Sequence, residues 1–257
     1  MKITIVTPSL NSAKTIGDTL QSVLDQSVSG LVEHIVIDGG SADGTIETVM
    51  RHKPLYEAKG WKLDIFSEAD EGLYHAMSKG VAKASGQVIG ILNSDDYYTT
   101  PRSLSLIENA FAEDEDLDAV YGNIHYEDIR RPGTTVRRYD SAIFSRRKML
   151  LGFQPPHPTL YCRREVYEHF GTYRSDYRIS GDFDFMLRAI YHGRIKTCHL
   201  PYDLVTMRTG GATDRNIMSH LRGLWEHELA YRRNHIPTTA LFDIFQLIYK
   251  LIQIERH

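Results

Sequence analysis

Short aliphatic runs alternate with segments of helical periodicity through the first half of the chain. In the first predicted helix, Ile16, Leu20 and Val23 recur at helical spacing. This alternation predicts an α/β fold with a mainly parallel central sheet flanked by helices on both faces. The strand-like runs are residues 2–7, 34–37, 63–66 and 88–92, with a fifth beginning at Ala119.

The pattern changes after residue 125. Residues 130–141 predict a polar hairpin or loop, and residues 164–170 predict a helix. A short helix ended by Gly193 is predicted from SGDFDFMLRAIYHG, and residues 195–207 predict one or two strands. Two helices are expected at the C-terminus, over residues 216–234 and 238–254.

Length and composition exclude several classes of protein. A chain of 257 residues can bury a substantial core as one α/β domain with an extension. The formal net charge of −3 argues against a nucleic-acid partner. No window approaches the ~20 apolar residues of a spanning helix, and the N-terminus does not resemble a signal peptide. We therefore expect a cytoplasmic protein.

Acidic residues follow three of the predicted strands. They are Asp38, Asp70 and the adjacent pair Asp95 and Asp96. The carboxyl ends of parallel strands form one edge of a sheet, where α/β proteins bind ligands. Carboxylate oxygens suit Mg²⁺ or Mn²⁺, so the sequence predicts a metal site there. Alternatively, Asp95 and Asp96 cap the next helix, although Thr100 fits that role better.

Local turn chemistry offers another explanation for Asp38, since aspartate often bonds to its own backbone in turns. Asp43, which precedes a glycine, fits such a turn better. Standard phosphate-binding motifs are absent, because GxGxxG does not follow the first strand and GxxxxGK[ST] occurs nowhere. The nucleophile elbow GxSxG is absent too. Dinucleotide oxidoreductases, P-loop NTPases and serine hydrolases therefore lose support.

Several segments together resemble glycosyltransferase family 2. They are, in order, IVTPSLNSAKTIGDTLQSVLDQS, VIDGGSADGT, SEADEGLYHAMSKGVAKASGQVIGILNSDD and GDFDFMLR. The resemblance implies an inverting, nucleotide-sugar-dependent enzyme with the GT-A fold. It points to small bacterial transferases of exopolysaccharide, capsule and lipopolysaccharide synthesis, including the colanic-acid type. It also implies a catalytic domain over residues 1–211, with a nucleotide-binding half (1–125) and an acceptor-binding half (126–211), before a helical extension (212–257).

The resemblance assigns roles to the acidic residues. Asp96 would be a direct ligand of Mg²⁺ or Mn²⁺, and Asp95 would lie close to the ribose or the metal. Thr7 and Pro8 would border the base. The donor-nucleotide site would comprise Thr7, Pro8, Asp38, Asp70 and Asp95.

The acidic residue of the family's ED motif acts as general base, and here that motif reads Gly181-Asp182. Asp182 is therefore the predicted catalytic residue, with Asp184 as the alternative. An acid in a first helical turn could also serve only the helix dipole.

Weaker predictions concern three other residues. His157 and Arg188 would contact acceptor or phosphate, and His199 would be a third metal ligand. Alternatively, His157 is a packing residue and Arg188 pairs with Asp184 at i,i+4 spacing.

The expected activity is inverting transfer from a UDP-sugar to a saccharide or lipid-linked acceptor in cell-surface polysaccharide synthesis. A nucleotidyltransferase and an inactive nucleotide- or glycan-binding module are the alternatives. The first acid of the ED motif is missing, and His75 and Ser78 replace Asp and Asn of the D-x-G-x-Y-D-A-M-N-K-G pattern.

The apolar stripe in residues 238–257 predicts packing on the core or in a homodimer, or peripheral contact with the inner face of the plasma membrane.

Overall fold

The computed structural model describes residues 1–131, 133–209 and 217–237. The strands are β1 (Lys2–Ser9), β2 (Leu31–Asp38), β3 (Lys62–Ser67), β4 (Val88–Ile91), β5 (Tyr97–Tyr98), β6 (Ala119–Glu127), β7 (Thr135–Tyr139), β8 (Tyr161–Arg163) and β9 (Thr197–Arg208). The helices are α1 (Ile16–Leu24), α2 (Thr45–Ala58), α3 (Leu73–Lys83), α4 (Ser103–Glu113), α5 (Arg164–Phe170), α6 (Gly181–Met186) and α7 (Ile217–Arg233).

One sheet joins these strands in the order β3-β2-β1-β4-β8-β6-β9-β5, with β7 pairing on β6. The first four strands in that order are parallel, as predicted. The second half is mixed, because β8 runs antiparallel to both β4 and β6 while β9 is parallel to β6. The α/β fold with a central sheet is therefore confirmed, and its parallel character belongs to the N-terminal half.

Helices cover both faces of the sheet and divide the core in two. Leu20 of α1, Tyr56 of α2 and Ile107 of α4 belong to one cluster of buried side chains. Met77 of α3 and Phe183 of α6 belong to the other. The central strands are buried on both faces, which explains why their sequences are nearly continuous apolar runs.

Most predicted elements of the second half are present. Of the predicted segment 130–141, residues 130–131 and 133–139 lie in the β6–β7 hairpin, and the predicted helix at 164–170 is α5. Helix α6 continues as a π-helical turn, Leu187–His192, before Gly193. Helix α4 begins at Ser103, later than predicted, because the Thr100 hydroxyl accepts from the Arg102 amide in a turn (3.2 Å).

Helix α7 packs into the same core as α6. Ala230 and Tyr231 are fully buried with Phe183, whose ring meets the Tyr231 ring edge-on at 5.3 Å. The described part of the expected C-terminal extension thus lies against the segment that carries Asp182. The second predicted helix, at residues 238–254, falls outside the described residues. Within the ranges described, no helix combines the length and the apolarity needed to cross a membrane.

Candidate active site

The predicted acids lie at one edge of the sheet, at the carboxyl ends of β2, β3 and β4. Asp38 ends β2 opposite Ser9 of β1. The Asp70 Oδ2 atom lies 3.6 Å from the place a Cβ on Gly39 would occupy, which brings the β3–α3 loop against the end of β2. On the other side of β1, the hydroxyls of Ser12 and Ser94 are 2.8 Å apart. We call this edge, with Asp38, Asp70, Asp95 and Asp96, the acidic rim.

Asp38 is fully buried and bonded within its own loop. Its Oδ2 atom accepts from the amides of Gly40 (3.1 Å) and Ser41 (2.9 Å) and from the Ser67 hydroxyl (2.7 Å). Asp43 forms the expected turn, accepting from the Thr45 amide at 3.2 Å. The turn chemistry expected mainly at Asp43 therefore operates at Asp38 as well, where it ties the β2–α2 loop to β3.

The side chain of Thr7 faces the interior of the sheet. Its hydroxyl donates to the Leu92 carbonyl (2.7 Å) and is bonded to His34 Nε2 (2.8 Å). His34 Nδ1 lies 2.7 Å from the Tyr56 hydroxyl, and burial lowers the pKa of His34 to about 3. The imidazole is thus neutral, and this chain of bonds fixes the end of β4. Pro8 is buried beside Thr7.

Asp70 lies against two side chains of helix α3, Lys79 and His75. The Lys79 ammonium lies 2.6 Å from Asp70 Oδ1 and 2.9 Å from Glu68, and His75 Nδ1 is 3.5 Å from the same Asp70 oxygen. Because α3 begins at Leu73, these contacts bind the start of the helix to the acidic rim.

Asp96 is the buried member of the adjacent acidic pair. It is 1% exposed, and its Oδ2 atom accepts from Asn93 Nδ2 at 2.9 Å. Burial, together with the charge of Asp95, raises the pKa of Asp96 well above its usual value. Arg208 offsets this in part and donates to the Asp95 carbonyl at 3.4 Å. Asp95 is half-buried and is the more accessible of the two acids.

This loop fits a divalent cation. Asn93 Oδ1 is buried and finds no hydrogen-bond partner in the described part of the chain. A hard cation would be bound by carboxylate oxygens and would favour the ionised form of Asp96. In the described ranges, no group of three or more His, Cys, Asp or Glu side chains is arranged to hold a metal ion. A site with two protein carboxylates suits an ion that takes its other ligands from water and phosphate.

His199 is not part of this site, so its prediction as a third metal ligand is wrong. Its Nε2 atom bonds to Asn123 Oδ1 (2.9 Å), and its ring stacks on Tyr121. His199 lies near the start of β9, whereas Arg208, at the end of that strand, is the residue beside Asp95. Strand β9 is bulged between them, and their partners on β6, Tyr121 and Glu127, are six residues apart. The two positions are therefore separated by roughly 20 Å, which is too far for a shared ligand.

Asp182 lies in the first turn of α6 and is held by two uncharged donors. The Tyr74 hydroxyl is 3.0 Å from Oδ1 and 2.5 Å from the Ile179 carbonyl, so the two acceptors share its one proton, and Gln154 Nε2 donates to Oδ2 at 3.0 Å. Tyr74 belongs to the first turn of α3, just after Asp70, so this bond brings Asp182 to the acidic rim. A Cβ on Gly181 would lie 2.8 Å from the Tyr74 ring. The glycine that replaces the first acid of the ED motif is therefore required by packing.

A carboxylate from α7 holds the segment before Asp182. Glu226 is 2% exposed and accepts from the backbone amides of Arg178, Ile179 and Ser180 at 2.8–3.2 Å. Three successive amide groups around one carboxylate form a strong anchor, because each bond involves a charged acceptor. Helix α7 thereby fixes the position at which α6 begins.

Both carboxylate oxygens of Asp184 accept hydrogen bonds from other side chains. It is fully buried and accepts from Arg174 (2.8 Å), Arg188 (3.0 Å) and Asn234 (3.0 Å). Arg188 also donates to the Thr172 carbonyl at 2.6 Å. The i,i+4 pair considered for Arg188 is thus present, and its guanidinium is occupied by protein acceptors. Between the two acids of α6, only Asp182 has a half-exposed side chain.

His157 is 8% exposed and packs among aromatic rings. Its Nε2 atom lies 2.9 Å from the Tyr173 hydroxyl, and burial lowers its pKa. The structure therefore matches the packing alternative, although the charge of Asp182 is close enough to oppose the effect of burial.

Four residues at the site had no predicted site role: Tyr74, Gln154, Arg208 and Glu226. Tyr74 lies in a segment that the motifs singled out, and Arg208 directly follows the strand predicted at residues 195–207. Gln154 and Glu226 carry no local signal, because they reach Asp182 or its helix only through tertiary contacts.

Comparison with known proteins supports one family. The model of glycosyl transferase family 2 matches residues 4–171. A PGL/p-HBAD biosynthesis glycosyltransferase of Mycobacterium bovis BCG is 28% identical over 214 residues, or 83% of this chain and 79% of that protein.

Two solved structures share the fold. S. aureus TarS 1–349 in complex with UDP-GlcNAc has a TM-score of 0.68 at 17% identity, with 90% of this chain and 66% of that chain covered. The Pyrobaculum calidifontis mannosyltransferase PcManGT, in complex with GDP-Man and Mn²⁺, has a TM-score of 0.66 at 17% identity, with 90% and 63% covered. This chain thus spans just under two thirds of each solved chain.

Proposed function

The chain belongs to glycosyl transferase family 2 and is a glycosyltransferase with the GT-A fold, and from this premise we propose that it catalyses inverting transfer from a UDP-sugar. The acidic rim would bind the donor, with Asp38 and Asp70 on the nucleoside side and Asp95 and Asp96 on the diphosphate side. The acceptor would be a saccharide or lipid-linked saccharide of a cell-surface polysaccharide pathway. The contact between Tyr74 and Asp182 carries the proposal, because it joins a base to the donor rim.

Asp182 would act as the general base. Inversion is a single displacement at the anomeric carbon, so the acceptor hydroxyl must lose a proton as it attacks. A half-exposed carboxylate held by two neutral donors can receive that proton. Asp184 cannot do so without leaving its partners, since its oxygens already accept from two arginines.

The loop of residues 93–96 would hold Mg²⁺ or Mn²⁺ through Asp95 and Asp96. A divalent ion there supplies positive charge to the departing diphosphate. Arg208 lies beside the same loop and would add a fixed charge on that side.

Exposed apolar side chains on α7 support the proposal of peripheral membrane contact. Met218, Leu221 and Trp225 are 70%, 54% and 63% exposed and recur at helical spacing. A membrane-bound protein would meet a lipid-linked acceptor at the bilayer surface. Flotation with anionic liposomes tests this: a Trp225→Ser variant should float less than the unaltered chain, and equal flotation would contradict it.

A homodimer through residues 238–257 is the competing proposal, which sedimentation of the chain with and without those residues would detect.

A donor panel tests the activity itself. The chain would be incubated with UDP-, GDP- and dTDP-sugars and a glycan extract, with Mn²⁺ or with EDTA. We expect metal-dependent release of UDP together with a glycosylated product of inverted anomeric configuration. Dependence on pyrophosphate would favour the nucleotidyltransferase, and binding without turnover would favour the inactive module.

A further inference from the structure

Gln154 lies in the loop before β8, with its side-chain amide against Asp182. Its Nε2 atom donates to Asp182 Oδ2 at 3.0 Å. A carboxylate offers acceptors only, so the amide must turn its NH₂ group toward Asp182 and its oxygen away. The chemistry of the pair therefore fixes the orientation of the amide.

The oxygen of the same amide differs from its nitrogen in its contacts. Gln154 Oε1 is buried and has no hydrogen-bond partner within residues 1–131, 133–209 and 217–237. Buried polar atoms are nearly always paired, so an orphan beside a functional carboxylate calls for an explanation. The backbone of Gln154 is constrained as well, because Pro155 and Pro156 follow it. The loop thus keeps the NH₂ group bonded to Asp182, while the amide oxygen has no partner among the described residues.

We propose that Gln154 is a positioning residue for Asp182, an inference that rests on the proposed function. Tyr74 engages one carboxylate oxygen and Gln154 the other, so together they fix the rotation of the carboxylate plane. The lone pairs left over then face the acceptor hydroxyl in one geometry. Both donors are uncharged, so they orient the base without placing a cation beside it.

Two substitutions separate orientation from simple packing. Gln154→Met keeps the length of the side chain and removes both polar atoms. We expect kcat for transfer to fall about 10- to 100-fold, the loss typical of a hydrogen bond to a charged group. The KM for the nucleotide sugar should stay unchanged, because the Gln154 side chain bonds to Asp182 and not to the acidic rim. The melting temperature should stay unchanged too, because the substitution also removes the buried oxygen without a partner. Gln21→Met is the matched control: Gln21 is exposed on α1 and donates to Asp25 at 2.8 Å, so its loss should leave kcat unchanged.

Gln154→Glu provides a pH signature that packing would not give. When protonated, the new carboxyl group can donate to Asp182 as the amide does, and when ionised it repels Asp182. Partial burial and the charge of Asp182 would raise the pKa of the new carboxyl group above its usual value. The activity of this variant, relative to the unaltered chain, should therefore rise as pH falls from about 8.5 to about 5, whereas the ratio for Gln154→Met should stay constant.

Full kcat in Gln154→Met, or a ratio for Gln154→Glu that does not change with pH, would overturn the role of Gln154 alone. Absence of transfer by the unaltered chain, with every donor and acceptor, would overturn the proposed function and this inference with it.

Discussion

The Asp184→Asn variant should unfold more easily than the unaltered chain, whereas Asp182→Asn should not. Asp184 is fully buried and accepts from two guanidinium groups, an asparagine amide and, at 3.4 Å, the Tyr177 hydroxyl. In Asp184→Asn the charge disappears and an NH₂ group faces donors. Breaking a buried ion pair by removing one partner costs about 3–5 kcal/mol.

The lower end of that range applies here, because Arg174 is 39% exposed and can turn to solvent. About 3 kcal/mol corresponds to a fall of roughly 6–12 °C in melting temperature for a domain of this size. Arg188 is 14% exposed and cannot reach solvent so readily. The loss of its partner should therefore still lower the free energy of unfolding.

Thermal and urea unfolding of the two variants would measure this difference. Asp182→Asn is the matched control, since it makes the same chemical change on the same helix at a half-exposed site. We expect it to remain within about 1 kcal/mol of the unaltered chain, to bind UDP and to lose transfer. If Asp184→Asn kept full stability and lost transfer while Asp182→Asn stayed active, the assignment of the base would be reversed.

Three further substitutions test other parts of the structure. Gly181→Ala should displace the Tyr74 ring and lower kcat while leaving UDP affinity intact by calorimetry, and an unchanged kcat would contradict the packing explanation. Glu226→Gln should lower the free energy of unfolding by about 1–3 kcal/mol in urea titrations, because the charged acceptor is lost and an NH₂ group would face backbone amides that now donate to the carboxylate; full stability would refute the anchoring role. His34 is neutral in the folded chain, with its pKa lowered from 6.5 to about 3, so the unfolded chain binds more protons between those values and stability rises with pH through that window. His34→Gln should therefore reduce the pH dependence of urea unfolding between about pH 4.5 and about pH 6.5, and an unchanged dependence would contradict it.

Local sequence patterns were sufficient for the N-terminal half of the fold. Strands β1, β2 and β4 are buried on both faces and β3 is the edge strand, and helices separate all four, so their apolar runs and the helical periodicity stand out in the sequence. Their acidic ends follow directly from the parallel arrangement. Helix α5 was likewise predicted at its observed bounds.

Tertiary contacts decided the rest. Strand β8 has three residues and β5 has two, too few to show a period. The distance of His199 from the rim depends on the length of β9 and its pairing with β6, which the histidine itself does not reveal. The bond between Gln154 and Asp182 joins residues from different elements of the fold. Contacts of this kind arise only when the chain has folded, so residue type and spacing did not indicate them.

Calorimetry with UDP tests most directly whether the acidic rim binds a nucleoside diphosphate through a divalent cation. The unaltered chain, Asp96→Ala and, as a surface control, Asp116→Ala would be titrated in Mn²⁺ and again in EDTA. We expect binding in Mn²⁺ by the unaltered chain and the control, and loss of that binding in EDTA or in Asp96→Ala. Equal affinity in EDTA, or full affinity in Asp96→Ala, would show that the rim does not bind the diphosphate in this way.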